Sequence, residues 1–165
     1  MITSEDINEI VESGKVILEK MPPVHGACLY ISAMLVAMIN DNTDLNAKLV
    51  TGSLSVKGKT IFSHSPISKL LSLGTDSMSS WDGHAWVSVS GLVFDFSVFR
   101  TVYSEITPSD IKKLFNEIFG QIAFLVGQKN KLDEMQVIYT QAEELTDSHV
   151  TTLIQSADHM GLINC

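Results

Sequence analysis

Apolar residues in the first twenty positions recur at helical spacing. Ile7, Ile10, Val11, Ile17 and Leu18 fall on one stripe of a helix that Thr3 or Ser4 caps and that runs to about Lys20. Met21-Pro22-Pro23 ends it, because proline cannot continue a helix and biases the residue before it away from helical backbone. After His25-Gly26-Ala27 the pattern changes. From Cys28 to about Met38 the chain is apolar on nearly every side, which marks a helix buried in the middle of a fold; Asn40-Asp41-Asn42 closes it. Over residues 46–63, Leu49, Leu54, Val56, Ile61 and Phe62 predict strands around a turn at Lys57-Gly58-Lys59. Residues 64–83 are rich in Ser, Gly and Pro, a long loop of the kind that borders sites, with a short helix predicted over Ile67–Leu73.

The clearest local signal is HAWVSVSGLVFDFSV, residues 84–98, in which two alternating runs flank Ser90-Gly91 and predict a hairpin. Thr107-Pro108 opens a third helix that Gly120 closes. Gln121–Val126 and Gln136–Thr140 read as two more strands, and Asp147–Met160 as a last amphipathic helix ended by Gly161. The order predicts an α+β fold, with the cysteine-bearing helix buried against a mostly antiparallel sheet. The length of 165 residues fits a single domain with its own core.

Composition narrows the function. With 19 acidic residues against 11 basic ones the net charge is −8, which argues against nucleic acid and anionic membrane as partners, since both need a basic face. Arg100 is the only arginine, so no arginine cluster awaits a phosphate. The acidic start, MITSEDINEI, does not read as a signal peptide. The longest apolar run, Ala27–Ile39, is 13 residues broken by Ser32; a membrane span needs about 20. Cys28 and Cys165 are the only cysteines and form no CxxC pair, which favours a reducing, cytoplasmic compartment. Oligomeric state is not legible.

Cys28 carries the chemical question. A free cysteine in an apolar run is most often core, but Cys28 stands at the first turn of its helix, where unpaired N–H groups and the helix dipole favour negative charge. A thiol attacks as thiolate, and its free pKa of about 8.5 must fall for that at neutral pH. Gly26 leaves room for the chain to turn and for a substrate to approach. A nucleophile also needs a base, and the base an orienting group. If Val89 pairs with Leu92 across a two-residue turn, Trp86 pairs with Asp95 and His84 with Ser97, so that His84, Trp86, Asp95 and Ser97 share one face. His84 and Asp95 become diagonal neighbours, roughly 7–8 Å apart at Cα. Asp95 lies between Phe94 and Phe96, where a carboxylate is costly without a partner, and His84 is the partner at hand. Asp95 then fixes the imidazole tautomer and leaves the other ring nitrogen for Cys28.

GACLYISA followed by GHAWVSVSGLVFD resembles the transglutaminase-like branch of the papain-like thiol enzymes, over roughly residues 22–100. The resemblance implies Cys28 as nucleophile, His84 as base and acid, and Asp95 as orienter. It implies a cofactor-free enzyme that acts on an amide or acyl group of a peptide, protein or small molecule through a thioester. The sequence departs from the family pattern where Leu29 follows the cysteine and Phe-Ser follows Asp95. Acyl transfer needs an oxyanion hole. The Cys28 N–H is its natural first donor, with His25 and Trp81 as candidates for the second, and Trp86 shields the pair from water. Two alternatives compete. One is a non-catalytic binding module that docks a partner on the hairpin or the 64–83 loop. The other is a metal site in which His25 and Cys28 are joined by His84 and Asp95 or His64, although no second close-spaced ligand pair accompanies them. Arg100 is expected to pair with a carboxylate, of the chain or of a substrate. His64, His149 and His159 read as loop or surface groups, Cys165 as an exposed end, and Glu143-Glu144 as part of a solvated face.

Overall fold

The computed structural model describes residues 1–73 and 81–163. Helix α1 (Ser4–Lys20) begins at Thr3, whose hydroxyl accepts the Asp6 N–H while the Asp6 carboxylate accepts the Thr3 N–H, a reciprocal cap. Helix α2 (Ala27–Asn42) begins at Gly26, whose φ of 80° lies in the left-handed region that glycine enters without strain. Ten of its residues, Ala27 through Ala33 among them, are buried, as an all-round apolar pattern requires. It runs one turn past the expected end, because polar side chains alone do not stop a helix, and closes where the Thr43 N–H meets the Ile39 carbonyl.

The strands are β1 (Lys48–Val56), β2 (Lys59–Phe62), β3 (His84–Val89), β4 (Leu92–Asp95), β5 (Leu125–Gln128) and β6 (Val137–Leu145). They form one sheet whose pairings are all antiparallel among the described residues. One edge of β1 pairs with β6, and its other edge with β3 near its start and β2 near its end; β4 and β5 follow β3. The expected hairpin register forms: Val89 faces Leu92 across Ser90-Gly91, both at positive φ, the twist-matched two-residue turn. The fold is α+β.

Alternation sends the two faces of the sheet to different partners. Ala85, Val87, Val89, Leu92 and Phe94 pack under α1, α2 and α7 (Asp147–His159). Val50, Leu54, Trp86, Val93 and Tyr139 pack under α4 (Val98–Val102) and α5 (Ser109–Phe119). Leu145 and Tyr139 are an even number of residues apart in β6 yet face opposite ways. The β1–β6 register shifts between Thr51 and Gly52, and this bulge reverses the parity.

Three expectations need correction. Of the strand expected over Gln121–Val126 only Leu125 and Val126 are strand; β5 starts at Leu125, where pairing with Asp95 becomes available, and runs on to Gln128. Short helices α4 and α6 (Lys129–Glu134) were not foreseen, and β6 runs five residues beyond Thr140, held by its full-length partner β1. Glu143 is not on a solvated face: it accepts from Thr51 Oγ1, from the Ile67 and Ser68 amides and from the Ser68 hydroxyl, fastening α3 (Ser68–Ser72) to the sheet. Glu144, by contrast, is exposed and pairs with Lys48 at 3.2 Å. No helix among the described residues is long and apolar enough to cross a membrane.

Candidate active site

Cys28 belongs to the α2 side of the sheet and His84 to the α4–α5 side. They meet because each stands at the start of its element at one end of the sheet. His84 Nε2 lies 2.6 Å from Asp95 Oδ2, and Cys28 lies close enough to contribute to the electrostatics of the ring. With Nε2 committed to Asp95, Nδ1 is the nitrogen left for sulfur.

Asp95 is saturated with donors. Tyr139 Oη donates to Oδ2 at 2.8 Å; the Ser97 amide, the Ser97 hydroxyl and the Val98 amide converge on Oδ1 at 3.2, 3.2 and 3.0 Å. A carboxylate that is 1% exposed is tolerable because five groups satisfy it. The two amides explain α4: Asp95 caps its start and turns the chain out of the sheet. The β3–β4 ladder closes at Val87 and Phe94, so neither the expected Trp86–Asp95 rung nor the His84–Ser97 rung forms, while His84 still reaches Asp95. Phe62 of β2 stacks on the imidazole at 4.4 Å between centroids, with planes 14° apart. Burial alone disfavours a charged imidazolium, but the Asp95 carboxylate and the contact with Cys28 outweigh it and raise the His84 pKa to about 10. The Tyr139 hydroxyl is pushed well up by burial and by the Asp95 charge, so it stays a donor.

Cys28 is only 8% exposed, yet it forms part of the wall of a cavity of about 560 Å³ shared with His84, His25, Trp81, Ser97 and Arg100. Substrate-sized cavities fall in the range of about 300–1,000 Å³. At the head of α2, the Ala27 and Leu29 amides donate to the Val24 and Gly26 carbonyls, whereas the Cys28 amide donates to no backbone carbonyl among the described residues. That amide, at a helix N-terminus, is the expected first oxyanion donor.

The other sequence candidates have different tasks. The Trp81 indole N–H donates to the Ser65 carbonyl at 2.8 Å, so it is not aimed at an oxyanion. His25 is exposed, and its Nε2 reaches the Trp81 carbonyl at 3.3 Å; in the neutral ring that leaves Nδ1 without a proton. His25 and Trp81 thus join the α2 entrance to the opposite wall. Trp86 does not line the cavity: it packs against His84 at 6.3 Å between centroids and edge-on to Tyr139 at 4.9 Å. Arg100 holds neither carboxylate expected of it. Its guanidinium donates to the Met21 carbonyl at 2.6 Å and to the Leu18 carbonyl, capping the C-terminus of α1. His64 sits edge-on to Trp81, with Nε2 3.1 Å from Glu143 but not aligned for a hydrogen bond. His149 closes the cap of α7 with Thr146, and His159 is exposed. Cys165 lies outside the described residues. Among the described residues, no three His, Cys, Asp or Glu side chains are grouped to hold a metal ion.

Sequence reasoning missed Tyr139 and Phe62. Phe62 carried a faint signal, as the last apolar residue of a strand next to the loop. Tyr139 carried none, because the bulge at residues 141–143, farther along β6, breaks the parity that would assign its face from the rest of the strand. No family model matches this chain, and neither a curated protein nor a solved structure does.

Proposed function

We infer that the chain is a cofactor-free cysteine enzyme acting on an amide or acyl group. The transglutaminase-like resemblance of residues 22–100 points the same way. The observation that carries the reading is the buried His84–Asp95 pair, with His84 and Cys28 lining one cavity. In this reading Cys28 reacts as the thiolate partner of a protonated His84: its sulfur attacks the carbonyl carbon and the Cys28 amide receives the oxyanion. His84 gives its proton to the departing amine or alkoxide as that bond breaks, leaving a thioester. Water or an amine then attacks, its proton passes to His84, and the carbon–sulfur bond breaks. Asp95 stays ionised and holds the ring in position throughout.

The test is alkylation of Cys28 in a Cys165→Ser background. Iodoacetamide at about pH 6 should label it at least tenfold faster than a free cysteine peptide, and His84→Ala should remove the advantage. Equal, slow labelling of both proteins would discard the enzymatic reading and leave a binding module.

A further inference from the structure

The cavity beside Cys28 has a one-sided character. Ile61 and Phe62 from β2, Val102 from α4, Ile106 and Pro108 from the α4–α5 connection and Ile111 from α5 build an apolar wall that continues outward from the His84 ring. Ile106 is 87% exposed at its rim, a large aliphatic side chain with little of the fold around it. Charge is sparse in this cavity. Among the described lining residues Arg100 is the only lysine or arginine, and its guanidinium is engaged with the Leu18 and Met21 carbonyls. Asp82, on the same lining, bears a negative charge.

We propose that this cavity selects substrates carrying an uncharged apolar group beside the reacting carbonyl, with Ile106 setting the preference, and that it rejects anionic ones. The proposal rests on the enzymatic reading of Cys28. An apolar group fits because each methylene moved from water onto such a wall favours binding by about 0.8 kcal/mol. A carboxylate placed there would lose water, would find the His84 ring already paired with Asp95 and two Arg100 donors spent on backbone carbonyls, and would also face Asp82. Two sources share this chemistry, a linear acyl chain and an amino-acid residue with an apolar side chain.

The experiment uses the Cys165→Ser chain and p-nitrophenyl esters of acetate, butyrate, octanoate, succinate and N-acetylphenylalanine. Cys28 sulfur adds to the ester carbonyl, the bond to p-nitrophenolate breaks, and water resolves the thioester. Acylation is located by intact mass and peptide mapping. Expected are a kcat/KM for octanoate at least about tenfold above that for acetate and a rate for succinate below that for butyrate. In Ile106→Asp the octanoate-to-acetate ratio should fall by roughly tenfold. The N-acetylphenylalanine ester separates the sources: a rate above octanoate assigns a side chain, one below it an alkyl chain. Acylation of Cys28 with a flat chain-length profile, or with succinate preferred, would overturn the proposal and leave the thiol enzyme standing. No acylation by any ester, together with slow iodoacetamide labelling, would overturn both.

Discussion

Asp95 is costly to bury alone, and that cost organises its neighbours. Its two oxygens divide the work: Oδ1 starts α4 through two amides and a hydroxyl, and Oδ2 holds His84 and Tyr139. The need for a partner was legible in the sequence, because a carboxylate between two phenylalanines has few alternatives to the histidine on its own face. Tyr139 was not legible, since it approaches from a strand 44 residues away. Tyr139→Phe should leave the fold intact and cost about 1.5–3 kcal/mol in urea unfolding, the range for a hydrogen bond to a charged group. If Tyr139 positions the pair, the Phe variant should also slow Cys28 acylation several-fold through kcat with KM unchanged. A loss of stability with no change in labelling or acylation would make it a purely structural donor.

At the scale of elements, the hairpin was readable because period-two alternation and the Ser90-Gly91 turn agree, and each fixes the register without help from the rest of the chain. The buried helix was readable for a similar reason. Elements whose existence depends on a distant partner were not. Helix α4 consists of Val98-Phe99-Arg100-Thr101-Val102, of which only Arg100 is a good helix former, and it forms where Asp95 accepts the Ser97 and Val98 amides at its start and Arg100 reaches across to α1. The β6 bulge also has no sequence signature in isolation, but it has a counterpart in Gly52. A Cβ at Gly52 would lie 2.0 Å from the Thr140 carbonyl oxygen and 2.9 Å from the Trp86 ring. Gly52 also pairs with His84 across β1–β3. Backbone cannot yield as a side-chain tip can, so Gly52→Ala should destabilise the chain by about 1–3 kcal/mol or more. Because the displaced groups border His84, Cys28 labelling should slow along with it. A variant with unchanged urea midpoint would mean that β6 does not approach β1 this closely.

For the whole molecule, the two ends of the pH range load different parts of the fold. Burial disfavours the Glu143 carboxylate, but the Ser68 hydroxyl and amide, the Ile67 amide and His64 outweigh this and lower its pKa from 4.5. A carboxylate of lowered pKa contributes stability that is present above 4.5 and lost as pH falls through its folded value. His84 behaves in the opposite sense. Its pKa rises from 6.5 to about 10 on folding, so its contribution is complete below 6.5 and is lost as pH climbs towards 10. Asp95 holds the charged ring, and deprotonation leaves a neutral imidazole in a weaker hydrogen bond. Urea midpoints measured at steps between about pH 4 and 10 should therefore decline on the alkaline side from about pH 6.5 upward. His84→Gln should be less stable than the parent at pH 6.5, with the gap narrowing steadily towards pH 10. Glu143→Gln should show the mirror pattern, its deficit shrinking as the pH is lowered below 4.5. A deficit for His84→Gln that stays constant across the alkaline range would mean that the buried pair does not hold a protonated ring. In that case His84 would be neutral at rest and would take the Cys28 proton during attack before passing it to the leaving group, while the His84–Asp95 pair on the cavity that Cys28 lines would still stand.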